Sequence, residues 1–222
     1  MQMATTTFER ELIAERLRSA LADACLTTDA FAGLLGTSRP RLSTYLNGRT
    51  MPSAALYERA LKTAAALKSA RMGGWMTVDN AIDEINKALG EGDSRWAFKL
   101  IVQARDHLSE MLDSGDAGSD AWLFRSRQIE DSRYDTLLAA IIEHEFIKRQ
   151  CRQVPEWAHG ARLESAWMQP NARWGEEWTR QHTPDWLSAR NIIISDRDLA
   201  TARSASAVAG SLLGSARRTD VA

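Results

Sequence analysis

The feature that most constrains this chain is a pair of short helix signals with a tight turn between them, at residues 27–53. Thr28 can accept a hydrogen bond from the free N–H groups of a first helical turn, and Asp29 is favourable at the same end of a helix. Gly36 supplies the stop, because glycine readily adopts the left-handed conformation in which many helices end. The pattern predicts a helix that begins at Thr28 and ends by Gly36.

A second helix is predicted directly after this stop. Thr37 or Ser38 can cap it, and Pro40 is acceptable because it falls in the first turn, where its missing N–H has no partner within the helix. The second helix is therefore expected to run from about Ser38 to Asn47. The turn between the two helices is about four residues long, as in a helix-turn-helix.

The two sides of the second helix differ in polarity. Leu42 and Leu46, with Tyr45 beside them, are predicted to face a core. The outer side and the exposed N-terminal end carry Arg39, Pro40, Arg41, Ser43 and Thr44. In a DNA-binding helix-turn-helix, that end of the second helix contacts base edges in the major groove. The pattern is typical of such a motif, with helix 38–47 as its recognition helix.

Two segments of this stretch resemble the Cro/C1-type helix-turn-helix of the XRE family. That family has a Leu-Ala-x-x-Leu-Gly-x-Ser run, followed by a recognition helix that ends in Asn-Gly-Lys/Arg. The corresponding segments here are Phe31-Ala32-Gly33-Leu34-Leu35-Gly36-Thr37-Ser38 and Asn47-Gly48-Arg49. The resemblance covers roughly residues 10–72, about a third of the chain, and it implies a small helical bundle that binds DNA.

The resemblance also implies roles for individual positions. The positions that usually read base edges hold Arg39, Pro40 and Thr44. The positions that more often contact phosphate hold Arg41, Asn47 and Arg49. Phe31 replaces the usual leucine, which is a packing change only. Pro40 removes a polar side chain from a base-reading position, so base readout is expected to depend on Arg39 and Thr44.

Arginine suits base recognition because it can donate two hydrogen bonds to the O6 and N7 atoms of guanine, worth roughly 1–3 kcal/mol of discrimination. We therefore expect a guanine under Arg39. The alternative is that Arg39 and Arg41 form only a solvated surface or contact phosphate, and for Arg41 we expect phosphate. The predicted DNA-binding residues are Thr28, Thr37, Ser38, Arg39, Pro40, Arg41, Ser43, Thr44, Asn47 and Arg49.

Charge is unevenly distributed along the chain, although the net charge is only −1. Between Cys25 and Met72 there are seven basic residues against two acidic ones, a net charge of +5. From Gly73 to Gln150 there are nine basic residues against fifteen acidic ones, a net charge of −6. DNA phosphates attract the first region and repel the second. We call residues 25–72 the basic head and residues 73–150 the acidic body, and we expect the two regions to have different partners.

Length and composition are those of an ordinary globular protein, with 222 residues, 44% hydrophobic and 26% charged. The N-terminal residues lack a cationic start followed by an apolar run, and no apolar stretch approaches the roughly 18 residues of a membrane span. Cys25 and Cys151 belong to no metal-binding or disulfide pattern. We expect a cytoplasmic protein with two plain thiols.

Helical spacing continues through most of the remaining chain, so the predicted fold is mainly α. The predicted helices cover about residues 8–24, 53–71, 77–90, 94–112 and 133–150, with loops at 73–74 and 114–120. The predicted domains are a helix-turn-helix bundle at 1–72, a helical dimerisation or partner-binding domain at 73–203, and a flexible tail at 204–222.

The end of the second domain is different in composition. It holds five of the eight tryptophans, at positions 157, 167, 174, 178 and 186, among prolines and short segments. We expect an irregular subdomain in which these rings anchor the chain onto the preceding helices. The alternative is a partner-binding surface. Ile192-Ile193-Ile194 is a β-prone run, and Asp196 is expected to cap a last short helix through Leu199.

This second region resembles the C-terminal part of actinobacterial proteins that pair a helix-turn-helix with a helical domain, described as regulators or antitoxins. The residues that carry the resemblance include Tyr134-Asp135-x-Leu137-Leu138, Val154-Pro155-x-Trp157 and Ile192-x-Ile194-x-x-x-Asp198-Leu199. The resemblance implies a module that contacts a protein partner or another subunit.

Signals for catalysis are weak. Glu143, His144 and Glu145 are adjacent, but the segment lacks the second histidine of a zinc-protease helix, so no metal site is predicted. There is no phosphate-binding Walker A run and no dinucleotide-binding glycine motif, so no cofactor is predicted either. We expect no enzymatic activity, and we expect Glu143 and His144 to be structural.

The sequence thus predicts a sequence-specific DNA-binding repressor with double-stranded DNA as its partner, which can act as a homodimer. One alternative is the antitoxin of a toxin–antitoxin operon, which neutralises a toxin through residues 73–203 and autoregulates through the N-terminal domain. A third interpretation makes the head a protein-interaction module without DNA affinity. Arg39 and Arg41 at the groove-facing end of helix 38–47 argue against that last interpretation.

Overall fold

A computed structural model describes residues 2–170 and 173–201, with side chains from Thr7 onward, and the predicted flexible tail at 204–222 lies outside these residues. The α-helices are α1 Gln2–Ala24, α2 Thr28–Leu34, α3 Arg39–Leu46, α4 Ala54–Gly73, α5 Val78–Gly90, α6 Ser94–Ser114, α7 Ser132–Lys148, α8 Glu176–Gln181, α9 Asp185–Ser188 and α10 Asp196–Leu199. The 3₁₀ helices are Ala117–Trp122 and Glu156–Ala158, and the two strands are β1 Trp167–Met168 and β2 Ile192–Ile193. The prediction of a mainly helical fold is confirmed.

The chain divides into two compact units. Of the described residues, the first unit comprises 2–82, 110–128 and 152–157, and the second comprises 83–109, 129–151, 158–170 and 173–201. This grouping differs from a linear division at residue 72, because two later segments return to the first unit. The predicted domain boundaries at residues 72 and 203 stay a prediction about independently folding parts of the chain.

The first unit is built around α1 and α4, which pack against each other, with α2 and α3 packed on α1. Its core contains Leu17 from α1, Phe31 from α2, Leu42 from α3 and Ala60 from α4. These four side chains are fully buried. Burial of the apolar faces of four short or Ala-rich helices in one cluster stabilises helices that would be marginal alone.

Helix α4 also packs against the 3₁₀ helix Ala117–Trp122 within the first unit. Asp116 caps this 3₁₀ helix by accepting from Gly118 N at 2.6 Å, and it accepts from Ser69 Oγ of α4 at 2.7 Å. These two hydrogen bonds hold the pKa of Asp116 below its usual value, and the bond from Ser69 has the larger effect. The prediction of a loop over 114–120 is therefore wrong from Ala117 onward, where the 3₁₀ helix begins. The side chain of Asp116 accepts from a backbone N–H of the first turn, which has no acceptor within the helix.

The second unit combines α-helices with a small parallel sheet. Strands β1 and β2 pair in parallel with Trp167 opposite Ile192 and Met168 opposite Ile193. The β-prone run Ile192-Ile193-Ile194 is fully or almost fully buried, as its composition predicts. Ser195, and not Asp196, caps α10, since its hydroxyl accepts from Asp198 N at 3.2 Å. The expected cap was one residue too late.

Tryptophans of the segment 155–199 make several anchoring contacts. Trp157 donates to Trp122 O at 2.9 Å within the first unit. In the second unit, Trp167 is buried with its ring centroid 5.2 Å from that of Tyr134. Trp174 differs from these, because 43% of its surface is exposed. Because each large ring buries a wide apolar area, these tryptophans can stabilise short segments that have no long helix to pack through.

Two further observations concern the chain as a whole. Within the described residues, no helix is both long enough and apolar enough to cross a membrane. Cys25 is exposed, Cys151 is half-buried, and both are free thiols.

Candidate nucleic-acid interface

The turn between α2 and α3 is fixed by backbone hydrogen bonds. Gly36 has a φ of +65°, which a residue with a side chain adopts only with strain. Thr37 N donates to Ala32 O at 3.0 Å and Gly36 N donates to Gly33 O at 3.1 Å, which satisfies the last carbonyls of α2. At the other end of α2 the cap is Thr27, whose hydroxyl accepts from Ala30 N at 3.2 Å. Thr28 is therefore the first helical residue and not the predicted cap.

Helix α3 is capped at both ends, and of the two predicted N-caps, Thr37 and Ser38, the structure uses Ser38. Ser38 Oγ accepts from Arg41 N at 3.4 Å, and Pro40 lies in the first turn, where no hydrogen bond is lost. Asn47 is the C-cap, and its side-chain Nδ2 donates back to Ser43 O at 2.8 Å. The predicted helix from about Ser38 to Asn47 is confirmed as α3 together with its two caps, and its role in DNA recognition stays a prediction.

Two arginines outside the motif hold the turn before α3 and the last turn of α3 in place. Arg59 of α4 donates to Leu35 O in the turn at 3.2 Å. Arg18 of α1 donates to Leu46 O at the last turn of α3 at 2.7 Å and pairs with Glu11 at 2.7 Å. Sequence analysis missed both positioning residues. The sequence offered one indication of this role. Both arginines lie on helix faces that otherwise carry core residues, and a long side chain in such a place can extend to a neighbouring segment of the bundle.

The N-terminal end of α3 presents its side chains to solvent. Arg39, Pro40 and Arg41 are all exposed. Among the residues that the structure describes, Arg39 has no ion pair and no side-chain hydrogen bond. It lines an open groove of about 580 Å³ together with Thr28 and Asp29 at the start of α2. The guanidinium group of Arg39 is therefore available to an external acceptor.

Arg41 is constrained in a different way. Its Nε atom donates to the hydroxyl of Tyr45 at 2.7 Å. Tyr45 is only 5% exposed and belongs to the core of the first unit. The contact uses one donor of the guanidinium and leaves the two terminal nitrogens to contact an anion. A fixed orientation of this kind suits a phosphate contact, where position matters more than readout.

Thr44 is less available than the resemblance implies. It is half-buried, and its hydroxyl donates to Arg41 O at 2.8 Å and lies 2.8 Å from Thr50 Oγ1. A threonine hydroxyl has one hydrogen and two lone pairs, so the internal contacts use most of its capacity. What remains is one acceptor position and the methyl group, which can contact a thymine methyl.

The structure brings the predicted DNA-binding residues together on one part of the first unit. The exposed members of the set are Ser38, Arg39, Pro40, Arg41, Asn47 and Arg49. The half-buried members are Thr28, Thr37, Ser43 and Thr44. The exposed members are therefore better placed for direct contacts than the four half-buried residues.

The acidic and histidine residues considered for catalysis have structural partners in the second unit. Glu143 pairs with Arg190, and its other oxygen lies 2.7 Å from His159 Nδ1. His144 stacks on Trp186 with ring centroids 4.3 Å apart. Burial is the main cause that lowers the pKa of His144. Across residues 2–170 and 173–201, no group of three or more histidine, cysteine or acidic side chains could hold a metal ion.

Comparison with known proteins identifies one part of the chain. Residues 12–71 match the family model described as a helix-turn-helix domain. This segment is about a quarter of the chain and contains α2, α3 and most of α1 and α4. No curated protein matches the chain, and no solved structure matches it. The first unit therefore contains a helix-turn-helix domain, which supports a DNA-binding regulator.

Proposed function

We propose that this protein is a sequence-specific transcriptional repressor, of the Cro/C1-type subtype, that binds an operator in the major groove through α3. The observation that carries the proposal is the exposed Arg39, which has no ion pair among the described residues. It lies at the N-terminal end of a helix that is fixed by its caps and by arginine contacts to its last turn and to the turn before it. A rigid support matters because base recognition needs two parallel hydrogen bonds from one guanidinium group.

Affinity for the DNA backbone would come from the surrounding charges. Arg41 and Arg49 are exposed, and the region from Cys25 to Met72 has a net charge of +5. Contacts between such cations and phosphates release counterions, which makes binding strongly salt-dependent. Arg41 would contact phosphate in the orientation that its hydrogen bond to Tyr45 gives it. Repression would follow when the bound protein blocks a promoter in the cytoplasm.

Two helix-turn-helix domains in one dimer would increase both the affinity and the selectivity for operator DNA. Helix-turn-helix dimers bind half-sites separated by about one helical turn, roughly 34–36 Å. We propose a homodimer, which predicts an operator with two related half-sites. Sedimentation analysis of the free protein and of its DNA complex measures this stoichiometry directly.

The test is fluorescence anisotropy with labelled duplex DNA from upstream of the protein's own gene, against a scrambled duplex of the same composition. Arg39→Ala should weaken binding to the upstream duplex by about tenfold or more, because a good arginine–guanine pair contributes roughly 1–3 kcal/mol. It should change binding to the scrambled duplex much less.

The matched control is Arg16→Ala. Arg16 is an exposed arginine of α1 that lies beside Lys68 of α4, and its removal changes the net charge equally. Equal losses in the two variants would contradict base readout by Arg39. Weak and equal binding of the wild type to both duplexes would contradict the repressor and favour the interpretation of the N-terminal domain as a protein-interaction module without DNA affinity.

A further inference from the structure

A pocket of about 610 Å³ opens on the second unit, lined mainly by α6 and α10. Its size falls within the range of roughly 300–1,000 Å³ that small-molecule sites occupy. All of its lining residues belong to the second unit. The pocket therefore shares no residue with α3 or with the predicted DNA-binding set.

The pocket concentrates positive charge. Arg95 and Lys99 of α6, Arg173, and Arg197 of α10 all line it, and all four are exposed. In the described ranges 2–170 and 173–201, none of these four side chains has a carboxylate partner. Like charges held close together without counterions repel one another, and a bound anion relieves that repulsion.

Two acidic residues also line the pocket, but they do not neutralise it. Asp106 pairs with Arg105 through Nη2 at 2.6 Å and Nε at 3.0 Å, so its charge is already balanced. Asp198 accepts from Ser195 Oγ at 2.8 Å, and among the described residues it has no ion pair that would balance it. Four cations against one unbalanced carboxylate leave a surplus of about three positive charges. This surplus contrasts with the net charge of −6 between Gly73 and Gln150.

Two of the four cations lie over aromatic rings, and Lys99 Nζ is 5.9 Å from the ring centroid of Trp96. The guanidinium carbon of Arg197 lies 5.6 Å from the ring centroid of Trp174 and 5.2 Å from that of Trp178. Both distances are within cation–π range, and neither contact uses an N–H donor. A cation that is oriented before binding loses less conformational entropy when a ligand arrives.

The pocket also offers apolar surface. Val102 is 8% exposed and Phe98 is half-buried, and both line it on α6. Inorganic ions cannot use such a surface, whereas an organic ligand can bury a ring or a short chain against it. The combination of apolar floor and charged rim therefore favours an organic anion.

We propose that this pocket binds a small organic anion that carries two or three negative charges as carboxylate or phosphate groups beside an apolar portion. Arginine forks at Arg95, Arg173 and Arg197 suit both oxyanions, because both accept paired hydrogen bonds. Phe98 and Val102 contact the apolar portion. The proposal does not depend on DNA binding, because it involves only residues of the second unit.

Isothermal titration calorimetry of the full chain tests the pocket with four probes. Phenyl phosphate and phthalate carry a ring with a phosphate or with two carboxylates, inorganic phosphate lacks the ring, and benzyl alcohol lacks the charge. We expect saturable, salt-sensitive binding of phenyl phosphate or phthalate, weaker binding of inorganic phosphate, and no binding of benzyl alcohol. Whichever ringed anion binds more tightly identifies the oxyanion.

The test variant is Arg95→Gln/Lys99→Gln, which removes two exposed charges from α6 while keeping good helix formers. It should weaken binding of the ringed anion by about tenfold or more. The matched control is Lys87→Gln/Lys148→Gln, which removes two exposed charges from α5 and α7, outside the pocket. It should leave binding unchanged.

Three outcomes would overturn the proposal. The first is a failure of both ringed anions to bind the wild-type protein. The second is an equal loss in the test and control variants, which would show that only net charge matters. The third is equal binding of inorganic phosphate and phenyl phosphate, which would show that the apolar floor contributes nothing. DNA binding can be lost or retained in any of these cases, so the two proposals fail independently.

Discussion

The Nε atom of Arg41 donates a 2.7 Å hydrogen bond to the hydroxyl of Tyr45, one turn further along α3. Arg41 is exposed and Tyr45 is 5% exposed, so the contact links the outer surface of the recognition helix to the core. A guanidinium held in this way has fewer rotamers to lose when it meets a phosphate. The core of the first unit therefore helps to position a residue assigned to DNA.

Tyr45→Phe should weaken DNA binding while preserving the fold. The change keeps the buried ring but removes the acceptor that orients Arg41, and a hydrogen bond to a charged group is worth about 1.5–3 kcal/mol at most. We expect the dissociation constant for operator DNA to rise by about threefold to tenfold. Tyr57→Phe is the matched control, since Tyr57 is half-buried in the same core, on α4. Equal affinities of wild type and Tyr45→Phe would contradict the positioning role.

Ser38→Ala and Ser38→Asp separate capping from DNA contact. Loss of the Ser38 cap should lower the free energy of unfolding by about 1 kcal/mol, whereas aspartate also caps and should keep most of the stability. Aspartate places a negative charge at the end of α3 that we propose to face DNA, so Ser38→Asp should bind DNA more weakly than Ser38→Ala. Chemical denaturation and anisotropy measure the two effects. The opposite order of affinities would place Ser38 away from the DNA.

The sequence was sufficient for the motif because its signals are local. The stop at Gly36, the cap at Ser38 and the tolerated Pro40 each depend on residues within one helical turn, and all three are confirmed. The first cap was placed one residue late at Thr28, because adjacent threonines at 27 and 28 offer equivalent hydroxyls. Local chemistry alone does not distinguish two such neighbours.

Contacts between distant segments could not be predicted in the same way. Arg18 holds the last turn of α3 and Arg59 holds the turn before it, and their partners are backbone carbonyls, which have no sequence signature. The packing of residues 110–128 against α4 could not be predicted either. It includes the close approach of buried Gly118 to the backbone of α4 and the hydrogen bond from Ser69 to Asp116. Such pairings follow from the tertiary arrangement and not from hydrophobic periodicity.

Gly118→Ala should destabilise the first unit. A Cβ at this position would lie 2.8 Å from Met111 Sδ and 3.2 Å from the backbone nitrogen of Ala70 on α4. The methionine can move but the helix backbone cannot, so we expect a loss of about 1–3 kcal/mol in the free energy of unfolding. Gly90→Ala is the control, because no atom would lie within 4 Å of its Cβ. Denaturant unfolding that gives equal stabilities for Gly118→Ala and Gly90→Ala would contradict the packing on α4.

His144 should make the stability of the protein depend on pH. Burial lowers its pKa below the usual 6.5, with smaller opposing and reinforcing effects from Glu145, Lys148 and Arg149. The unfolded chain therefore binds a proton at a higher pH than the folded chain, and the folded state loses stability as the pH falls from 6.5 toward the folded pKa.

Well above pH 6.5 His144 is neutral in both states and contributes no pH dependence. His144→Phe keeps a ring on Trp186, at the position where the imidazole now stacks 4.3 Å away, but it cannot titrate. We expect the wild type to lose more stability than His144→Phe between about pH 7.5 and about pH 5.5, a window chosen to stay above the usual carboxylate pKa values. Urea unfolding at several pH values measures the difference. Parallel pH profiles for the two proteins would show that the free-energy cost of burying protonated His144 is too small to affect the free energy of unfolding.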